Sequence, residues 1–158
     1  MKTIFPKKEA HIPKWFVIDA KGKRLGRLAT EASKLLRGKE TALFTPGVDQ
    51  GNYVVILNAD QIEVTGQKET QKLYYRNSQT PGNLKIETFK SLKNRIPTRI
   101  IEKAIWGMLP KGVLGRTYYK RLHVFVDDKI TYKKSKEGNK KQLTLDSLEE
   151  TKWTKVNF

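Results

Sequence analysis

No cysteine occurs among the 158 residues, which removes disulfides, thiolate zinc sites and cysteine nucleophiles from consideration. Histidine is almost absent too. His11 and His123 are the two imidazoles, and neither has a carboxylate partner at a recognisable metal-ligand spacing, so no metal and no cofactor is expected. No run of about 18 apolar residues is long enough to span a bilayer, and the first residues lack the apolar core of a signal peptide. No amphipathic stretch joins a wide lysine face to a Trp/Leu face either. These absences lead to the expectation of a soluble, non-secreted protein with no membrane partner and no small-molecule substrate.

Acidic residues are the other shortage. Thirty-two Lys and Arg face 16 Asp and Glu, a net charge of +16. Such a chain repels itself in isolation and is relieved by a polyanion, which phosphate backbones supply through counterion release. The excess is uneven: residues 1–126 carry 24 basic against 10 acidic residues, net +14, and residues 127–158 carry 8 lysines against 6 acidic residues, net +2. At this length the chain suits one domain with a core that buries roughly 70% of the unfolded surface.

Three regions follow from the pattern. Residues 1–14, with Lys2, Lys7, Lys8, Lys14, Pro6 and Pro13, read as an extended basic N-terminal arm. Residues 15–126 read as an α/β domain. Trp15–Asp19 and Tyr53–Leu57 are short apolar runs of the kind a strand buried on both faces needs, and Leu122–Val126 is a third. Between the first two, Leu25, Leu28, Ala29, Ala32, Leu35 and Leu36 recur at helical spacing until Gly38. Ile62–Val64 and Leu73–Tyr75 predict further extended segments. The spacing of Ile86, Phe89, Leu92 and Ile96 predicts one helix over 86–96, and Thr98 caps a second whose apolar face is Ile100, Ile101, Ala104, Ile105 and Met108. A short helix is predicted around Tyr118 and Tyr119. Alternating strands and helices predict a mainly parallel sheet with helices on both faces. Residues 127–158 read as a polar, Lys-rich C-terminal extension, dispensable for folding, whose Leu143, Leu145, Leu148, Trp153 and Phe158 await a neighbour.

Four groups of residues carry the chemistry of phosphate binding. Lys21, Lys23, Arg24 and Arg27 surround a strand-to-helix turn containing Gly22 and Gly26, where unpaired helix N–H groups favour an anion. The turn is neither a Walker loop nor a dinucleotide fingerprint. Arg37 and Lys39 flank Gly38. Lys68, Lys72 and Arg76 interleave with Tyr74 and Tyr75, a combination suited to a sugar-phosphate backbone with an exposed base. In the run Gly107–Arg116, glycines at 107, 112 and 115 and Pro110 frame Lys111 and Arg116, led by an expected buried anchor, Met108–Leu109. The candidate RNA contacts are the cations of these four groups together with Gly112, Lys120 and Arg121.

Catalysis finds little footing. No nucleophile elbow, Ser/His/Asp order or carboxylate pair can be assembled, and Asp19, Asp49 and Asp60 suit turns and caps as well as Mg²⁺ ligands. The alternative to a structural RNA-binding protein is a nucleotide- or nucleic-acid-dependent α/β enzyme.

From about Trp15 to Phe125 the chain closely resembles the large-ribosomal-subunit proteins of the universal thirteen family (ribosomal protein L-thirteen), in their bacterial and organellar form. The matching residues are Trp15 with Ile18–Ala20, Leu25–Thr30, Leu36–Lys39, Phe44–Pro46, Asp49, Gly51, Asn58–Asp60, Thr65–Gly66, Lys68, Tyr74–Arg76, and the signature Gly107–Gly112 with Leu114–Arg116. The resemblance implies a three-layer α/β/α fold on a four-stranded, mainly parallel sheet. It also implies a structural role: binding large-subunit ribosomal RNA early in assembly, beside neighbouring large-subunit proteins, with no catalytic residue. The family usually has His where Gly47 and Asn77 stand, an acidic residue at Asn52 and a second glycine at Asn83. Its His/Gln-rich C-terminal segment is replaced here by the Lys-rich tail, which implies a lineage-specific partner. The Lys/Asn/Ile-rich composition leads to the expectation of a ribosome in an organelle, a plastid in particular, or in the bacterial cytoplasm.

Overall fold

The computed structural model describes residues 5–7, 11–128 and 153–156, the backbone alone at 153–155. Lys2, Lys8, Leu143, Leu145, Leu148 and Phe158 lie outside the described residues. Strand β1 (Trp15–Asp19) leads through a tight turn into helix α1 (Leu25–Arg37), then to β2 (Tyr53–Leu57). After a 3₁₀ turn at Ala59–Gln61 come α2 (Lys68–Gln71), β3 (Leu73–Asn77), β4 (Leu84–Thr88), α3 (Phe89–Arg95), α4 (Thr98–Met108), α5 (Val113–Tyr119) and β5 (Leu122–Val124). β6 (Trp153–Val156) follows.

Strands β5, β2, β1 and β6 form one parallel sheet in that order, with Trp15 opposite Tyr53 on one side and Trp153 on the other. The fourth strand of the sheet is thus drawn from the segment read as a C-terminal extension. Alternation along β1 and β2 sorts their side chains by face. Phe16, Ile18, Val54 and Ile56 join Leu28, Ala32, Leu35 and Leu36 of α1 and Ile100, Ile101 and Ile105 of α4 in the main core. Val17, Val55 and Leu57 form a smaller cluster on the other face, with Trp15 and Phe125 against it. The steps from β1 to β2 and from β2 to β5 run the same way across the sheet, which under the right-handed crossover rule puts their helices on one face. The expected helices on both faces are therefore found, among the described residues, on one.

Two local expectations give way to longer-range forces. Residues 84–88 form β4, antiparallel to β3 with Tyr75 opposite Ile86, so the predicted helix over 86–96 begins only at Phe89. Thr88 is its N-cap, accepting the Ser91 N–H at 3.3 Å. Ile62–Val64 contributes a single bridge, Glu63 to Arg24, instead of a strand. The turn-rich segment before β2 is buried in part: Asp49, Gln50 and Asn52 are polar core residues. Asn52 Nδ2 donates to Leu35 O at 3.2 Å, and its Oδ1 accepts the Lys14 N–H at 3.1 Å. Gly38, at φ 72°, ends α1 in the left-handed region, and a Cβ there would run into the Gln50 carbonyl.

Candidate nucleic-acid interface

The turn from β1 to α1 leaves the positive end of a 13-residue helix open. Asp19 Oδ1 accepts the Lys21 N–H at 3.0 Å, Gly22 takes φ 66°, and the Leu25 N–H bonds to Glu63 O at 2.9 Å. No side chain caps α1 and no carboxylate lies in its first turn, an arrangement that suits an outside anion. Lys21, Arg24 and Arg27 are exposed and Lys23 is half-buried. Gly22, Lys23, Arg24, Arg27, Leu28, Thr30 and Glu31 line a cleft of about 540 Å³, and the Glu31 carboxylate there is held by Lys34 at 2.8 Å.

The Gly107–Arg116 run lies beside it. Thr30 Oγ1, in the middle of α1, sits 3.7 Å from Met108 Sδ at the end of α4. Met108 is 42% exposed and Leu109 3%, so the expected two-residue anchor is Leu109 alone. The helical spacing places Met108 on the core stripe, but α4 ends there, and the chain turns Leu109 inward. Pro110 then leads into α5, where a Cβ on Gly115 would strike the Pro110 carbonyl. That contact keeps the loop tight and presents Lys111, Gly112 and Arg116 outward, all exposed. Lys111 Nζ lies 5.9 Å over the Trp106 ring, which meets Tyr119 edge-on at 5.0 Å.

At the other end of α1, Arg37 stacks over Phe44 at 5.8 Å and Lys39 is exposed. Arg37 also acts on Tyr118 of α5, whose phenol burial and the Asp49 carboxylate push up while Arg121 and Arg37 pull it down. The Lys21–Arg27, Arg37–Lys39 and Lys111–Lys120 groups are thus brought together along α1, the end of α4 and α5.

Arg121 is engaged within the protein. Its Nη1 and Nη2 donate to Asp49 Oδ1 and Oδ2 at 2.8 and 2.6 Å, and Nη1 also donates to Gly51 O at 2.8 Å. This guanidinium ties the start of β5 to the loop before β2. Lys120, one residue earlier, is exposed.

Lys68, Lys72 and Arg76 form a separate group on α2 and β3, all exposed. Strand alternation splits the two tyrosines. Tyr74 packs on Phe89 at 6.5 Å between Lys72 and Lys103, 5.6 and 5.3 Å from its ring centre, and burial pushes its phenol up. Tyr75 points to the opposite face, exposed. Lys103 carries no local sequence signal for this position, because only the folded chain sets it over Tyr74. Among the described residues no group of three or more His, Cys, Asp or Glu side chains could hold a metal ion, and no helix is long and apolar enough to cross a membrane.

Comparison with known proteins matches residues 13–131 to the family described as Ribosomal protein L13. The large ribosomal subunit protein uL13 of Crocosphaera subtropica is 56% identical over 124 residues, 78% of this chain and 82% of the relative. The protein of the same name from Prochlorococcus marinus is 54% identical, covering 78% and 87%, and that of Geobacillus thermodenitrificans 51%, covering 79% and 87%. The signature run, the cationic turn into α1 and strands β1, β2 and β5 of the parallel sheet all fall within the matched span, and the chain belongs to the ribosomal protein L13 family.

Proposed function

We propose that the chain is a structural constituent of the large ribosomal subunit that binds large-subunit ribosomal RNA and supports early assembly, in a bacterial or plastid ribosome and not as an enzyme. The observation that carries this reading is the cationic surface along α1, the end of α4 and α5, in a chain of net charge +16. Lys21, Lys23, Arg24, Arg27, Arg37, Lys39, Lys111, Arg116 and Lys120 supply its charge, with Gly112 presenting bare backbone. Lys68, Lys72 and Arg76 form a second contact, while Arg121 holds the scaffold. These groups position RNA through phosphate and sugar; they do not read base edges.

Burial of Val17, Val55 and Leu57 on the face away from α1 supports the finer arrangement of three layers with the four-stranded sheet in the middle. Neighbouring large-subunit proteins are the further partners of this reading.

Binding of the purified chain to a large-subunit rRNA fragment tests it. With about 6 to 10 phosphates engaged, affinity falls by roughly 10³ to 10⁵ between about 50 and 200 mM salt. A flat salt dependence, or stabilisation by a mononucleotide with Mg²⁺ but not by rRNA, would overturn it.

A further inference from the structure

The β3–β4 hairpin has two unlike faces. Cross-strand register pairs Leu73 with Thr88, Tyr75 with Ile86 and Asn77 with Leu84 on one of them, and Tyr74 with Glu87 and Arg76 with Lys85 on the other. The second face is engaged with the body of the protein at Tyr74 and Glu87, while Arg76 and Lys85 on it are exposed. Tyr74 packs on Phe89, Arg95 donates to both oxygens of Glu87 at 2.9 and 2.6 Å, and the Phe89 N–H bonds to Lys72 O at 2.9 Å. On the first face Leu73, Tyr75, Leu84 and Ile86 are 43, 57, 57 and 54% exposed. A row of large apolar side chains on a two-stranded sheet marks an interaction surface.

Charge decides what covers it. The hairpin's formal charges, on Arg76, Lys85 and Glu87, all lie on the engaged face, and residues 77–84 contain no charged side chain although 30% of the chain is charged. A phosphate backbone finds no cation on the open face. Three of its four large side chains are aliphatic, without the flat π-surface on which a base stacks. A second copy of this chain is also a poor fit. Four half-exposed side chains offer on the order of a few hundred Å², short of the roughly 800 Å² per partner of a standard interface. The patch instead suits a partner held alongside by the particle they share.

We propose that the Leu73–Tyr75–Leu84–Ile86 face docks on an apolar, uncharged surface of a neighbouring protein in the large subunit. The inference rests on the ribosomal reading and adds to it which face meets protein.

The test places a photo-crosslinking phenylalanine analogue at Leu84, or at Lys85 on the other face, in the full chain incorporated into large subunits purified by sedimentation. The Leu84 probe is expected to crosslink to an apolar segment of a large-subunit protein, and the Lys85 probe not to reach that protein. In parallel, the Leu84→Ser/Ile86→Ser variant should melt within about 2 °C of the parent and bind naked rRNA within about twofold. It should be outcompeted roughly tenfold for incorporation, the scale of losing an interface anchor. A crosslink from Leu84 to rRNA or to a second copy, no crosslink in incorporated chains, or equal incorporation of the double variant overturns the proposal. Absence of the parent chain from the sedimenting subunits overturns the ribosomal reading itself, and this proposal with it.

Discussion

Arg121 and Asp49, 72 residues apart, form a bidentate pair whose side chains are 16 and 4% exposed. The guanidinium also accounts for the Gly51 carbonyl, and its face lies 5.7 Å over the Tyr53 ring. Removing one partner of such a pair strands the other's charge in a site with little water, at a cost of about 3 to 5 kcal/mol. Arg121→Ala and Asp49→Ala are each expected to lower stability on that scale, and the double variant by much less than the sum. Urea melts of all four proteins measure it; additive losses would show that the pair does not act as a unit.

Arg116, by contrast, is exposed and spends its charge outside the fold. Arg116→Ala and Lys111→Ala should change stability by about 0.5 kcal/mol or less and each reduce rRNA affinity and the salt slope by about one phosphate. Equal melting shifts for Arg116→Ala and Arg121→Ala would erase the distinction.

The two-residue run before Pro110 gives a sharper contrast. Leu109→Ala removes a buried side chain and should cost about 2 to 5 kcal/mol, whereas Met108→Ala, at an exposed position, should cost well under half of that. Thermal melts of the pair decide it.

The glycines of the signature run divide in the same way. Gly115→Ala drives a methyl into the Pro110 carbonyl and should destabilise the loop markedly. Nothing lies within 4 Å of a Cβ built on Gly107 or Gly112. Gly107→Ala, inside α4, is therefore expected to stabilise the free protein by about 0.5 to 1 kcal/mol. If RNA closes on this surface, the same variant loses affinity while gaining stability, an opposition that a melt and a binding titration read together.

Acid sensitivity follows from His123. Burial lowers its pKa below the ordinary 6.5, and its ring stacks 6.1 Å from Trp15. The unfolded chain then binds the proton more readily than the folded one, so stability is full above about pH 6.5 and declines as pH falls through the window beneath it. Denaturant melts at pH 7.5 and 5.5 should show the decline, and His123→Gln should flatten the part of it that lies above the carboxylate range.

A chain ending after Val126 lacks β6 and leaves the outer backbone edge of β1 without the strand that pairs with it. The polar composition of the tail leads one to expect such a chain to fold normally; the pairing of Trp153–Val156 with Trp15–Ile18 turns the expectation toward a clear loss of stability. Melting within a few degrees of the full chain would make β6 peripheral.

What was legible in the sequence is what local pattern controls. β1 and β2 are apolar runs buried on both faces, and α1 is an unbroken amphipathic stripe closed by a glycine. Their existence and order needed nothing beyond periodicity. β4 was not legible, because Ile86, Phe89, Leu92 and Ile96 keep helical spacing and only pairing with Tyr75 across the hairpin makes Ile86 a strand residue. β6 carries no apolar run, and its place depends on β1, some 140 residues earlier. The cations of the interface could be picked out singly by type. That Arg121 is tied to an aspartate 72 residues away is something no spacing rule reaches.

Helix α1 has a consequence of its own for the RNA. Its 13 residues make a stiff rod about 20 Å long, buried along one side against the sheet and α4, with Arg24 and Arg27 at one tip and Arg37 and Lys39 at the other. An RNA that touches both tips must hold two phosphate tracts at that separation. A loose strand satisfies the condition only by giving up its freedom, and a folded one satisfies it beforehand. On the proposed reading the helix would act as a caliper, gripping more tightly an RNA that has already taken the matching shape and so favouring folded over unfolded RNA without reading a single base.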